Sequence, residues 1–506
     1  MAGWAATLFV TIITPMKRRH GWIPNVLLWF GLIAVGACSG VARTGEAVLA
    51  RIERVENGLL PAVVVRGDEL TQNSIWEVME RYHVPGVSVA VINDGELEWS
   101  KAYGVREVGG TPVDTATLFL AGHIGHGVAT VAALRLVEEG SLSVEQNVND
   151  HLASWEVPDN EFTLSEKVTV RRILSHTSRL SVPTLRGYST EDLIPTLAQI
   201  LDSVPPAKNQ PVRVLGVPGS RQRYSLGGYV VLQQLLEDIT GLPYADFVRT
   251  TVLTPLGMER SFHAQPLTET LAANAASGYE RTNERVQGRW RVYPELAALG
   301  MWTTPTDVAR LALELQRSVS GEPDVIISQS SVEEMLSQHT EDRGLGFEVG
   351  GEGDWRFFRL EGHGNNYLSE LYAYASNGMG AVVMTNSSNG EGVKAHLLRA
   401  IAAEYGWPDY VPEEVDVVQL PDEALEELEG RYRFRGRDRV LVVEQDRLLQ
   451  RSEGDREEEL LSLSEDMLVS ISFGYRYAID RDTEGSITGL TLVLQGTRLF
   501  TYERVD

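Results

Sequence analysis

The chain has 506 residues, more than a single hydrophobic core accommodates, so two or three domains are expected. Hydrophobic residues make up 43% of it and aromatics 8%, a globular composition that excludes intrinsic disorder. The net charge of −25 repels phosphate backbones and supplies no basic footprint, which sets nucleic-acid binding aside.

The only cysteine is Cys38, so no intrachain disulfide can form. It closes a segment of targeting character. Lys17-Arg18-Arg19 is a positive cluster, Val26 to Ala37 is a short apolar run, and Val35-Gly36-Ala37-Cys38 ends it with small residues. Residues 1–38 resemble a bacterial lipoprotein signal, with Cys38 as the lipidated first residue of the mature chain and Met16 as an alternative start to Met1. A transmembrane anchor or a chance thiol are the competing readings, and the run is shorter than the roughly 20 residues of a spanning helix. By resemblance to lipoprotein sorting, Ser39 points to the periplasmic face of the outer membrane, with the lipid anchor as the membrane contact. Residues 39–70 are expected to act as a tether with one amphipathic stretch.

A domain is expected over residues 71–405. Ser74 to about Arg81 reads as a helix stopped by Val84-Pro85-Gly86, and the alternation that follows turns at Asn93-Asp94-Gly95, a hairpin signal. After Gly122 comes a helix with almost no polar face, its Val128, Val131, Leu134, Leu136 and Val137 set among alanines and its end marked by Gly140. His123 and His126 open that helix three residues apart and so share one face. Val168 to Leu174 leads into Ser175-His176-Thr177-Ser178, and residues 180–218 read as loops. A second apolar helix runs from Tyr229 to Ile239 and stops at Gly241. Thr254 to Met258 is a turn, and Thr306 and Asp307 are expected to start a helix after Gly300 to Thr304. Antiparallel strands are expected between Phe357 and Met384, turning at Ser376-Asn377-Gly378, before a closing helix from His396 to Tyr405. Strands at both ends and helices between them make this an α+β unit whose one sheet collects both ends of the domain.

Residues 406–421 hold Pro408, Pro412 and Pro421 and read as a linker. Residues 422–506 are short strands with turn signals such as Asp482 to Gly485, a small all-β barrel or sandwich.

Residues 71–405 resemble the serine β-lactamase and penicillin-binding-protein-like family, in its class C, DD-peptidase and esterase branch. Eight segments carry the resemblance in order: PGVSVAVINDGELEWSKAYGV, TLFLAG, VTVRRILSHTS, PGSRQRYS, TGLPYADFV, TPLGM, LGMWTTPTDVAR, and EGHGNNY ahead of GAVVMTN. The resemblance implies a two-lobed domain, antiparallel sheet plus helical lobe, and the C-terminal strands are similar to a small β barrel often appended to it. It also implies acyl transfer. A Ser opening the central helix attacks a carbonyl, a Lys one turn on takes its proton, a Tyr two residues before an Asn assists, and a His- or Lys-x-Gly strand end flanks the oxyanion hole.

Carried over position by position, the Ser falls on His123 and the Lys on His126. Tyr224 and His363 are kept, whereas the Asn after Tyr224 is Leu226 and the Gly after His363-Gly364 is Asn365. Arg179 departs from the glycine usual after SHTS, and His176 reads as a structural hydrogen-bonder. No Ser, Thr or Cys lies within one turn of His123; Thr117 and Thr130 are the nearest hydroxyls. A neutral imidazole at that position would give only a labile acyl-imidazole, and His126 has no hydroxyl to activate. The expected function is therefore a β-lactamase-related envelope lipoprotein that has lost acyl-enzyme chemistry and acts as a binding or interaction protein. Its ligand in the cleft would be a small molecule or a peptidoglycan-derived group touching Leu226, Gly364 and Asn365. The alternative is a hydrolase of esters, amides or D-amino-acid peptides working through His123, His126, Tyr224 and His363. No cofactor is expected; within that alternative His123, His126 and His363 could share a zinc ion with an open fourth position. Ser225 and Ser369 are the weaker candidates for a displaced nucleophile.

Overall fold

The computed structural model describes residues 45–323, 326–453 and 456–505. Two units are distinguished, residues 1–50 and 51–506. Within the first, residues 45–50 are helical, and the lipoprotein signal, Cys38 and both candidate start codons lie outside the described residues. Among the described residues no helix is long and apolar enough to cross a membrane.

The second unit is built on a six-stranded antiparallel sheet. From one edge to the other its strands are Glu96–Gly104, Gly86–Asn93, Gly380–Thr385, Tyr367–Tyr374, Phe357–Gly364 and Glu348–Gly350. Chain-distant hairpins thus close side by side, as the strand signals at both ends of the domain required. The first turns at Asp94 and Gly95, both at positive φ. Strand Gly86–Asn93 is buried on both faces because helix Pro305–Val319 covers one of them. That helix starts one step earlier than expected: Thr304 caps it by accepting from the Asp307 N–H, and Pro305 takes the first turn, where its missing N–H costs nothing.

The helical lobe is organised by two buried helices, Gly125–Glu138 and Leu226–Thr240. Ser225 caps the second, its Oγ accepting from Gly228 N–H at 3.0 Å, and Gly241 ends it in the left-handed conformation that needs no Cβ. The expected loop region 180–218 includes one short helix, Leu197–Asp202, started by a Thr196–Gln199 capping box.

The stretch read as a tether carries structure of its own. Val63–Val65 pairs in parallel with Glu413–Val415, which lies in the proline-bearing segment read as a linker, so each supplies the other's backbone partners. Beyond helix Asp422–Leu428, eight strands from Gly430–Phe434 to Thr497–Arg504 form a closed barrel. The first strand pairs with the last through Tyr432 and Arg504, which removes both sheet edges. Tyr432, Leu441, Leu460, Leu468 and Leu490 fill its interior.

Candidate active site

Gly122 fixes the geometry of the cleft. It sits at φ +59 in a short 3₁₀ turn, Gly122–Ile124, and a Cβ there would meet the Gly364 nitrogen at 2.6 Å. Only glycine therefore lets the start of the central helix press against the end of strand Phe357–Gly364. That contact sets His123 beside His363, ring centroids 6.0 Å apart, and beside Tyr224 at 5.4 Å.

His126, one turn on, faces the helical lobe. It lies 5.3 Å from His123 and stacks on Tyr229 at 3.6 Å with the ring planes 9° apart. Its Nε2 is buried without a hydrogen-bond partner. His176 completes the cluster, 5.9 Å from His126 and 4.4 Å from Tyr224. The SHTS loop is tied to the segment holding Tyr224: Arg223 N–H donates to the His176 carbonyl at 2.7 Å, and Ser225 N–H to His176 Nδ1 at 3.4 Å. His176 thus holds the segment as expected, and it also joins the rings of the cleft, which its position in the sequence did not signal.

Burial leaves the imidazoles of His123, His126 and His176 uncharged. It pushes His123 down to about 3, with His363 adding to the effect, and His176 likewise to about 3. His126 is held far below the ordinary histidine value by burial and then by His123 and His176. Burial also raises the Tyr224 phenol, so no phenolate forms at neutral pH.

The cavity at the site measures about 160 Å³ and is lined by His123, His126, Tyr224 and His363 together with Arg343, Glu348 and Glu361. The last three were not legible as site residues. Arg343 Nη2 meets Glu348 Oε1 at 2.7 Å, and Arg359 bridges Glu348 and Glu361. Behind them Lys394 reaches Glu361 at 3.1 Å, Glu370 at 2.9 Å and Glu391 at 2.9 Å. Burial acts to raise Glu361, yet Lys394 and Arg359 hold it down to about 2, so the cavity wall keeps a carboxylate.

Three positions read as substrate-contacting do not line this cavity. Leu226 is buried as the first residue of its helix, its N–H donating to the Val182 carbonyl at 2.9 Å. Gly364 is spent on the Gly122 contact. Asn365 turns its amide outward, donating to Leu185 O at 3.2 Å, Arg186 O at 3.1 Å and Tyr293 Oη at 2.8 Å, which fastens the loop at residues 185–187 to the strand end. Arg179 occupies the left-handed region at φ 62, which is uncommon for a residue with a side chain.

The displaced-nucleophile reading fails on geometry. Ser225 Oγ donates to Ser181 O at 2.6 Å while capping its helix, and Ser369 Oγ donates to Ala121 O at 3.0 Å; both are buried. A shared zinc site finds no support: among the described residues no three of His, Cys, Asp or Glu are placed to hold a metal ion, and His126 is stacked on Tyr229.

Residues 72–405 match the protein-family model described as Beta-lactamase. The chain belongs to the beta-lactamase family. Among curated relatives it is 28% identical over 263 residues to penicillin-binding protein 4 of Amycolatopsis lactamdurans, covering 51% of this chain and 66% of that one. It is 30% identical over 229 residues to the unguisins hydrolase ungD' of Aspergillus campestris, covering 42% of this chain and 40% of the other. The chain thus spans less than two thirds of the length of these relatives. Among solved structures, the octameric penicillin-binding protein homologue from Pyrococcus abyssi superposes with a TM-score of 0.57 at 23% identity, over 84% of this chain and 97% of that one. The D-amino acid amidase from Ochrobactrum anthropi gives a TM-score of 0.52 at 21% identity, over 65% of this chain and 97% of that one. At such identities these two likenesses concern the fold alone, a β-lactamase/transpeptidase-like domain, here followed by the eight-stranded barrel.

Proposed function

We propose that this beta-lactamase-family chain has lost acyl-enzyme chemistry and works as a binding or interaction protein of the bacterial envelope, held to the membrane by lipid at Cys38. The observation that carries the reading is the pair His123 and His126, both neutral, standing where a hydroxyl and an ammonium are needed, while Ser225 and Ser369 are locked in structural hydrogen bonds. Without an activatable hydroxyl there is no acyl-serine to form. The cavity of about 160 Å³ is also well below the roughly 300–1,000 Å³ of ordinary small-molecule sites. It takes one terminal group of a ligand, with the rest outside on the rim. The names of the relatives make a peptidoglycan-type D-amino-acid terminus the first ligand class to try.

Intact-mass spectrometry of the mature soluble chain with a fluorescent penicillin and an activated ester tests this. No covalent adduct and no turnover is the expected result. An adduct mapping to His123 would overturn the reading in favour of a histidine-nucleophile hydrolase, for which the one supporting observation is that the His123 ring is uncharged and faces the cavity.

A further inference from the structure

A second cavity, of about 540 Å³, lies between the main domain and the barrel, away from the histidine cluster. Four arginines converge on it: Arg281 from the main domain and Arg437, Arg439 and Arg456 from barrel strands. Five carboxyl groups, those of Glu391, Asp438, Glu453, Glu457 and Glu458, line the same cavity. A guanidinium cannot shed its proton, so like charges brought together need a counter-charge.

Three of the acidic side chains of the wall have direct partners outside the cluster: Glu391 meets Lys394 at 2.9 Å, Asp438 meets Arg433 at 2.6 Å, and Glu457 meets Arg451 at 3.1 Å. Among the described residues none of the four arginines is in an ion pair; Glu453, exposed at the rim, attracts Arg281 and Arg456 from a distance, and Glu391 attracts Arg281 as well. Arg439 is held in place by neutral groups, donating to Gln450 Oε1 at 2.7 Å and Tyr477 Oη at 2.6 Å and lying 4.4 Å over the Tyr502 ring. Arg456 spends only its Nε, on the Glu453 carbonyl at 3.2 Å. Buried Glu458 accepts from Ser472 N–H at 2.7 Å through one oxygen and leaves the other unpartnered.

We infer that this pocket binds an organic polyanion, a ligand with two or more carboxylate or phosphate groups that the four guanidiniums neutralise while Tyr475 and Tyr502 cover its carbon skeleton. Two electrostatic effects support the inference. Burial and then Arg281 and Arg439 push Arg456 down to about 10, as a shortage of counter-charge would. Burial pushes Glu458 up to about 7, so its carboxyl is largely protonated at slightly acid pH and donates to an anion instead of repelling it. A neighbouring cavity of about 730 Å³ shares Arg281 and Glu453 with this one and reaches Asn365 and Asn366 at the strand end. Arg281 therefore stands between the polyanion pocket and this neighbouring cavity.

The test is calorimetric titration of the mature chain at low ionic strength with two probes, pyrophosphate and citrate. Saturable one-to-one binding of at least one probe is expected, weakened tenfold or more in both Arg281→Gln and Arg456→Gln and unchanged in the control Arg249→Gln, whose side chain pairs with Asp246 elsewhere on the surface. Tighter binding of pyrophosphate identifies a phosphate ligand, and tighter binding of citrate a carboxylate one. No saturable heat with either probe, or full affinity retained in either variant, would overturn the inference. Should Arg456→Gln fail to fold, Arg281→Gln decides alone, since Arg281 is exposed at the rim and its replacement leaves the barrel untouched.

Discussion

His126 lies flat on Tyr229, ring centroids 3.6 Å apart, with its Nε2 buried and unpartnered. The imidazole is part of the packing between helices Gly125–Glu138 and Leu226–Thr240. Its neutrality is a condition of the fold.

Acid destabilisation follows from that pair. The folded-state value of His126 is depressed, so between it and about 6.5 the unfolded chain binds the extra proton and stability falls as pH falls. From pH 7.5 to 5.5 the loss from this one group is about 1 kcal/mol. Glu295 and Glu458, both raised to about 7, act with the opposite sign, so the contrast must be made against a variant. In thermal melts His126→Phe should gain on the wild type as the pH is lowered across that window. A gap in Tm that stays constant from pH 7.5 to 5.5 would show that His126 does not stay neutral in the folded chain.

Ser225 is a structural serine. Ser225→Ala removes the cap on helix Leu226–Thr240 and the donor to Ser181 O, and should cost about 1–3 kcal/mol in urea unfolding. Reactivity toward activated esters should not change, whereas a displaced nucleophile would lose it.

The buried ion pair of Lys394 and Glu370, both 1% exposed, holds the charges behind the cavity. Lys394→Met strands Glu370 and loosens Glu361, at an expected cost of about 3–5 kcal/mol by chemical denaturation. A loss below 1 kcal/mol would mean that Arg359 alone sustains both carboxylates.

On the proposed reading, a hydroxyl and an ammonium placed at the two histidine positions give the cleft acyl-enzyme chemistry. The double variant His123→Ser, His126→Lys is expected to form a covalent adduct with a fluorescent penicillin, read by intact mass, while the wild type forms none. Failure of a folded double variant to label would place the defect in the small cavity and its Arg343–Glu348 wall.

The sequence by itself determined the fold class, through segments whose local chemistry leaves few choices. The Asp94-Gly95 turn, the all-apolar central helix and the strand run from Phe357 to Met384 each announce their element, and their order along the chain predicts one sheet joining both ends. It also named His123, His126, Tyr224 and His363, which the fold brings to one cavity. Local signals cannot carry side-chain partners across the chain. That Ser369 is consumed by Ala121, that Asn365 clamps the loop at 185–187 away from the cavity, and that His126 turns to Tyr229 were decided only by tertiary packing. The pairing of Val63–Val65 with Glu413–Val415 belongs to the same class: residues some 350 apart satisfy one another's backbone, and nothing in either stretch alone says so. Arg343, Glu348 and the arginines of the barrel pocket stayed hidden for that reason too. A charged residue reads as surface until the fold brings it beside others and shows which of them have counter-charges.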